Sequence, residues 1–484
     1  MTNLVNQNYK PLAVRKFSWL FLGKVLPVLI LILITIIYSR KLSFDEYGKF
    51  QSVWMYANIV NVVISFGLSA IILSTPLHFL FSFIKNNRKR LIIFYSVLWG
   101  AGLIALFLFA KNFNSSLKFL LIVFIIIQNV AAIIETLLIK QQGEKISFVI
   151  NSFYSLLFFG WHLYVLGNIY SLSFLIAGIC ILSALKLLAM ILVLPGRELH
   201  EGTTIEQKHF LSHWAYLGIN DTLGVISKWM DKVFLLYLLT TADFAIFFNG
   251  SFEIPLFGLL VSVTGSFLLI EISGNIRLTD KIIKLFKESF NMLSSIAFPL
   301  FFFLFFLREE LFSLAFKDKY SASLPIFVIS IFILPLRINN YSVILQCFSQ
   351  GKKILWGSML DIAIALALML SLYPAMGTKG VALAVVTATY CQVLFYLWHS
   401  AKMLHTSIFR IVPLQKLALK FLILLLLYIG LSFILSGMEL KLKLAIGFIF
   451  TITAIISGMM QYRKFFLVKN NIKSLNDQPG NVAL

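Results

Sequence analysis

Charged residues and cysteines are scarce in this chain. Only 13% of the 484 residues are Asp, Glu, Lys or Arg, whereas about 25% is usual in a soluble domain. Because 60% of the residues are hydrophobic, one water-facing core cannot hold them all, and lipid must solvate much of the surface. The three cysteines, Cys180, Cys347 and Cys391, lie within apolar runs, which indicates neither a disulfide framework nor a metal site.

The sequence also lacks the patterns that carry enzyme chemistry. It contains no nucleophile–base constellation, no Walker-type glycine-rich loop and no His/Cys cluster. We therefore predict that the protein is not an enzyme and uses no cofactor. Its net charge of +21 comes from Lys and Arg spread over many short segments, so we expect no nucleic-acid partner.

Long apolar runs recur along almost the whole chain. Crossing a bilayer takes roughly 20 apolar residues in a helix, and the alternating pattern of a membrane β-barrel is absent from the sequence. We therefore predict an all-α polytopic membrane protein with about fourteen transmembrane helices. The predicted spans are 17–38, 49–73, 91–110, 117–139, 146–166, 170–194, 211–239, 244–272, 289–307, 322–347, 355–374, 379–401, 414–436 and 443–462.

The distribution of basic residues predicts the orientation. With fourteen spans, 24 of the 41 Lys and Arg fall on the side of the N-terminus and 11 on the other side. Lys and Arg are enriched in cytoplasmic loops, so both termini are predicted to be cytoplasmic.

Two pairs of short segments predict an internal repeat. Residues 42–50 and 239–247 share a leucine, an acid, an aromatic and a final phenylalanine, and 142–145 resembles 350–353. Parallel repeats are a known transporter architecture, although chance similarity between loops is the alternative. The predicted division is an N-terminal six-helix bundle (1–194), a cytoplasmic linker (195–210), a second six-helix bundle (211–401), two additional helices (402–462) and a cytoplasmic tail (463–484).

Several motifs resemble those of one transporter group. They are Arg40-x-Leu42-x-x-Asp45-Glu46-Tyr47-Gly48-x-Phe50 followed by Gly67-Leu68, then Asp231, Gln350-Gly351-Lys352 and Gly377-x-x-Gly380-Val381-Ala382. The pattern is similar to polysaccharide transporters of the multidrug/oligosaccharidyl-lipid/polysaccharide (MOP) exporter superfamily, in particular to the Wzx-type O-antigen-unit flippases. Ala245 departs from the glycine found at the matching place in the first half.

The resemblance implies two pseudo-symmetric six-helix bundles around a central cavity, plus two C-terminal helices, in the cytoplasmic (inner) membrane. It implies a flippase that moves an undecaprenyl-diphosphate-linked oligosaccharide, such as a lipopolysaccharide O-antigen unit, by alternating access. The implied partners are this lipid-linked substrate, membrane lipids, a polysaccharide polymerase and a chain-length regulator.

The seventh span carries the most charge. At 100° per residue, Trp214, Asp221, Lys228 and Lys232 fall within about 20° of one line along the helix. A charge at the bilayer centre is costly, so we predict that this stripe binds substrate: the lysines attract a diphosphate or acidic sugar, and Trp214 stacks on a sugar. The alternative is internal pairing of the lysines with Asp221 or Asp231.

Further candidates lie in spans eight and ten. Arg337 follows Pro335 in a polar, broken stretch, and its planar guanidinium suits bidentate phosphate binding; pairing with an acid is the alternative. Glu253, two residues before Pro255, and Asp231 are candidates for coupling a proton or sodium ion, or for pairing with a lysine. We expect the other charges within spans to reach the membrane interface: Lys24, Glu135, Lys186, Glu271, Asp361 and Lys420.

Two further functions compete with the flippase. A multidrug or small-molecule exporter of the same superfamily would favour acids, but the spans contain six acidic and six basic residues, so charge does not decide. A membrane polymerase or glycosyltransferase usually needs a long loop or a soluble domain, which the short loops disfavour. A peptidoglycan-precursor flippase stays open.

Overall fold

The computed structural model describes residues 9–75, 77–110, 113–141, 143–168, 170–194, 207–251, 255–273, 278–317 and 319–460. Within these ranges the chain is helical and contains no strand. The prediction of an all-α polytopic membrane protein is confirmed. Glu253, most of the predicted linker and the predicted tail lie outside the described residues.

Contacts divide the chain into two compact units, Met1–Phe248 and Asn249–Leu484. The bundle boundaries predicted from the repeat stay a prediction. The first unit contains α1 (Tyr9–Lys41), α2 (Phe44–Ser65), α3 (Leu68–Ser74), α4 (Leu77–Asn86), α5 (Arg88–Phe109), α6 (Ser115–Lys140), α7 (Glu144–Gly167), α8 (Leu172–Leu192), α9 (Gln207–Leu238) and most of α10 (Thr241–Gly250).

The second unit contains α11 (Pro255–Ser273), α12 (Thr279–Phe306), α13 (Arg308–Phe316), α14 (Leu324–Ser330), α15 (Val343–Cys347), α16 (Gly351–Met376), α17 (Thr378–Met403), α18 (Ile408–Ile411), α19 (Leu414–Leu435) and α20 (Leu440–Met460). Over the described part of the chain, nine helices are long and apolar enough to cross a bilayer: α5–α8, α12, α16, α17, α19 and α20.

The other predicted spans fall on helices that are longer, more polar or interrupted. The second span breaks between α2 and α3, where Phe66 and Gly67 have φ angles of 42° and 69°. The indole N–H of Trp214 donates to the Phe66 carbonyl at 3.0 Å. Because carbonyls in lipid must find donors within the protein, this bond compensates for the break and ties it to α9.

Two helix ends in the first unit have matching caps. At α2, the Glu46 amide donates to the Ser43 hydroxyl, which in turn donates to the Glu46 carboxylate. At α10, Thr240 and Asp243 make the same two bonds. These pairs occupy matching positions in the segments that predicted the repeat, and the chain begins a helix in the same way at both.

Helix α4 lies between the second and third predicted spans, where the sequence predicted no helix. Leu80 and Phe83 of α4 are buried against Phe210 and Trp214 of α9, whereas Lys85 and the basic start of α5 are exposed. Leu80 and Phe83 therefore anchor α4 to α9, and the basic residues at the turn into α5 stay accessible.

Helix α12 organises the second unit, packing against α19 and α20. The Lys420 ammonium of α19 donates to the Asn291 carbonyl at 2.8 Å and to the hydroxyls of Ser294 and Ser295 at 2.9 and 3.0 Å. We expected Lys420 to extend to the interface. It instead joins two helices, because the polar groups of α12 supply three acceptors.

Candidate functional site

Three polar regions lie within the spans predicted from the sequence, and each belongs to one unit. The first is on α9, where Asp231 and Lys232 are 5% and 9% exposed. The Lys232 ammonium lies 3.1 Å from the Asp231 carboxylate. It also lies 5.7 Å from the centre of the Trp229 ring and 5.9 Å from that of Phe248. An ion pair surrounded by aromatic faces satisfies both charges where water is scarce.

The predicted stripe on α9 divides into two environments. Lys228 and Asp221 are exposed, whereas Trp214 is 7% exposed and Lys232 is buried. The Lys228 ammonium lies 5.7 Å from the centre of the Trp229 ring. Two residues of the stripe are thus accessible at the α9 surface of the first unit.

Trp214 lies in an aromatic cluster with Phe83, Phe210 and Tyr95, at ring-centre distances of 6.0–6.4 Å. With its N–H bound to Phe66, the indole packs the first turns of α9 against neighbouring helices. Its stacking on a sugar stays a prediction, as does the role of Asp231 in ion coupling.

The second region is a polar cluster that the sequence analysis missed. One oxygen of Glu135 accepts from the Asn151 amide at 2.6 Å and from the Ser147 hydroxyl at 3.0 Å. The other lies 3.6 Å from the Lys186 ammonium. Glu135 and Lys186 were expected to reach the interface separately, but α6, α7 and α8 bring them together.

The cluster extends along the same three helices. The Gln128 amide donates to the Ser183 hydroxyl at 2.9 Å and to the Tyr154 hydroxyl at 3.3 Å. The Lys186 ammonium lies 5.1 Å from the centre of the Tyr154 ring. The sequence does contain a signal: Gln128 and Glu135 are seven residues apart and so share a helix face.

The third region surrounds Arg337 in the second unit. A 3₁₀ segment, Ile331–Leu336, contains Pro335, and Arg337 follows it half-buried. The predicted interruption of span ten is therefore present. Next to Arg337, Asn339 is 2% exposed, accepts from the Ser289 hydroxyl at 3.0 Å and donates to the Phe286 carbonyl at 3.2 Å.

Because proline lacks an amide donor, the interrupted segment leaves backbone carbonyls without their helical partners. The Arg337 guanidinium places side-chain donors beside them. Among the described residues, no group of three or more His, Cys, Asp or Glu could hold a metal ion. The side chains of the three regions can bind charged groups or pair with one another.

No family model and no curated protein sequence matches the chain. Solved structures do match. The lipid II flippase MurJ, in an inward closed conformation, aligns over 95% of this chain and 99% of its own, with a TM-score of 0.66 and 15% identity. The chain has the fold of MOP-superfamily transporters.

Other structures with this fold align over less of the chain. A multidrug resistance transporter of the MATE family, in an inward-facing conformation, covers 80% of this chain and 99% of its own, with a TM-score of 0.53 and 14% identity. A MOP-superfamily transporter from Pyrococcus furiosus covers 82% and 96%, with a TM-score of 0.57 and 13% identity. At identities of 13–15%, the likeness to these transporters is evidence for the fold alone.

Proposed function

We propose that the protein is a flippase that moves an undecaprenyl-diphosphate-linked oligosaccharide across the cytoplasmic membrane by alternating access. The observation that carries this proposal is the extent of the likeness to the lipid II flippase. The 5% of this chain left unaligned is about 24 residues, fewer than the 22 and 21 residues of α19 and α20 together. The alignment therefore reaches into the C-terminal helix pair.

The charges that we assign to substrate binding are Lys228, Lys232 and Arg337. We also assign Asp221 and Trp214, which share the predicted stripe on α9 with the lysines. Lys228 is exposed on α9 and is the simplest candidate for contact with a diphosphate. Lys232 is paired with Asp231, so it would have to exchange this carboxylate for substrate. Glu253 and Asp231 remain our candidates for coupling to a proton or sodium ion.

Deletion of the gene tests the substrate. We expect lipid-linked oligosaccharide to accumulate in the cytoplasmic leaflet and surface glycan to fall, measured by mass spectrometry of lipid extracts and by glycan staining. Undiminished surface glycan without accumulation, in a strain with no duplicate transporter, would contradict the proposal. O-antigen, capsule and peptidoglycan precursors are distinguished by which lipid-linked unit accumulates.

A multidrug or small-molecule exporter is the second candidate, supported by the likeness to the MATE transporter. It predicts that deletion increases sensitivity to cationic drugs and leaves lipid-linked intermediates unchanged. Dye-efflux assays in the same deletion strain separate the two functions.

Variants test the proposed charges. Lys228→Ala should reduce export strongly, because it removes the proposed contact with the diphosphate. Expression should be unchanged, because this exposed lysine can be removed without breaking an ion pair of the fold. Lys441→Ala, which removes an exposed lysine from the start of α20, is the control. If Lys228→Ala exports as much as the wild type, Lys228 does not belong to the substrate site.

A further inference from the structure

A cavity of about 760 Å³ lies at one end of the second unit, between the first turns of α12 and the segment 409–416. We call it the interfacial pocket. Its charged lining consists of Lys284, Lys287, Arg410, Lys416, Asp280 and Glu288. Four basic and two acidic groups leave an excess of positive charge, and the size is that of a small-molecule site.

One of the acids is already engaged. The Arg410 guanidinium donates to the Asp280 carboxylate at 3.0 Å, which joins α18 to the start of α12. Lys284 and Lys416 are exposed and Lys287 is half-buried. The lysines thus surround the opening with ammonium groups that suit an anion.

The position of the pocket indicates what the anion is attached to. Phe409 and Leu414 line it and are 77% and 45% exposed. Beyond Leu414, α19 continues with exposed Leu419 and Leu422 and is apolar enough to cross the bilayer. A basic opening that continues into an apolar helix face matches an amphiphile with an anionic head.

We propose that the interfacial pocket binds the phosphate-bearing headgroup of an anionic phospholipid in the leaflet that the predicted orientation makes cytoplasmic. The headgroup contacts Lys284 and Lys287, and the acyl chains follow the leucines of α19. This inference holds whatever molecule the protein transports.

Such a lipid would fasten α19 to α12 from the membrane side. Asn291 also lines the pocket, and its carbonyl accepts from Lys420 of α19 at 2.8 Å. The bound headgroup therefore lies next to the polar contact that joins the two helices, and its binding should stabilise the second unit.

The test uses the full-length protein in a neutral detergent, titrated with phosphatidylglycerol and followed by native mass spectrometry and thermal unfolding. We expect binding and a raised melting temperature with phosphatidylglycerol but not with phosphatidylcholine. The double variant Lys284→Gln/Lys287→Gln should bind roughly twenty-five-fold more weakly, because each basic group near an anionic headgroup contributes about fivefold.

The control variant is Lys281→Gln/Lys441→Gln, which removes the same amount of charge from two exposed lysines outside the pocket. It should bind as the wild type does. Equal affinity in all three proteins would overturn the proposal. Equal stabilisation by sodium pyrophosphate would assign the pocket to a soluble phosphate and also overturn it. If the double variant fails to fold, Lys284→Gln alone should bind about fivefold more weakly.

Discussion

The ion pair between Glu135 and Lys186 allows a quantitative test of the polar cluster on α6, α7 and α8. The two charges are 3.6 Å apart, and their side chains are 25% and 12% exposed. At an effective dielectric constant of about 20, the gross attraction is about 5 kcal/mol. Desolvation offsets part of this energy, and removal of one partner of a buried pair typically costs about 3 kcal/mol.

We therefore expect Lys186→Met to lower the free energy of unfolding by about 3 kcal/mol. Glu135 then keeps its bonds to Ser147 and Asn151 but loses its cation. The double variant Glu135→Gln/Lys186→Met should recover most of this loss and cost only about 1 kcal/mol, because a neutral amide needs no counter-charge.

The assay is denaturant titration of the purified protein in detergent micelles, as a double-mutant cycle. The control is Lys145→Met, which removes an exposed lysine at the start of α7 and should change stability by about 0.5 kcal/mol or less. If the double variant is no more stable than Lys186→Met, the charges do not stabilise each other and the reasoning is refuted.

Three further predictions concern the first unit. Trp214→Ala should lower stability by about 3–5 kcal/mol in denaturant titration, because it empties an aromatic core. Gly48→Ala should reduce the yield of folded protein in size-exclusion chromatography, because a Cβ there meets the first carbonyl of α10; Gly100→Ala, with open space around it, should be neutral. Hydrogen bonding from Lys49 lowers the pKa of Asp45. The wild type should therefore melt at a higher temperature than Asp45→Asn from neutral pH down to about pH 5, and this difference should disappear as the pH falls through the lowered pKa.

Each of these predictions has an outcome that contradicts it. A Trp214→Phe variant as unstable as Trp214→Ala would show that aromatic packing is not what the indole provides. Equal yields of Gly48→Ala and wild type would mean that α10 can withdraw freely from α2. If the wild type still melts at a higher temperature than Asp45→Asn at pH 2, the carboxylate charge of Asp45 is not the cause of the difference.

The membrane character and the all-helical fold follow from the sequence because hydropathy acts locally. A run of about 20 apolar residues needs lipid whatever its neighbours are. The same argument identified the break near Pro335, since proline removes a helical donor regardless of tertiary structure. The break at Phe66 was not predicted because it depends on a donor 148 residues away, the Trp214 indole.

The pairing of charges was harder to anticipate. Helical spacing placed Lys228 and Lys232 on one face, yet one is exposed and the other pairs with Asp231. Periodicity gives directions around one helix axis, whereas burial depends on which helix packs there. Glu135 and Lys186 likewise required knowledge that α6 and α8 are neighbours.

The position of Lys420 has a consequence for biogenesis. A lysine inside a membrane segment adds to the cost of insertion, up to about 2.5–3.5 kcal/mol at the helix centre. A leucine-rich segment such as α19, with a mean hydropathy of 2.5, tolerates this cost. The three acceptors for Lys420 all belong to α12, which the ribosome completes more than a hundred residues earlier. Helix α12 is therefore already in the membrane when α19 is inserted, and this order of synthesis shortens the time for which the Lys420 ammonium is exposed to lipid.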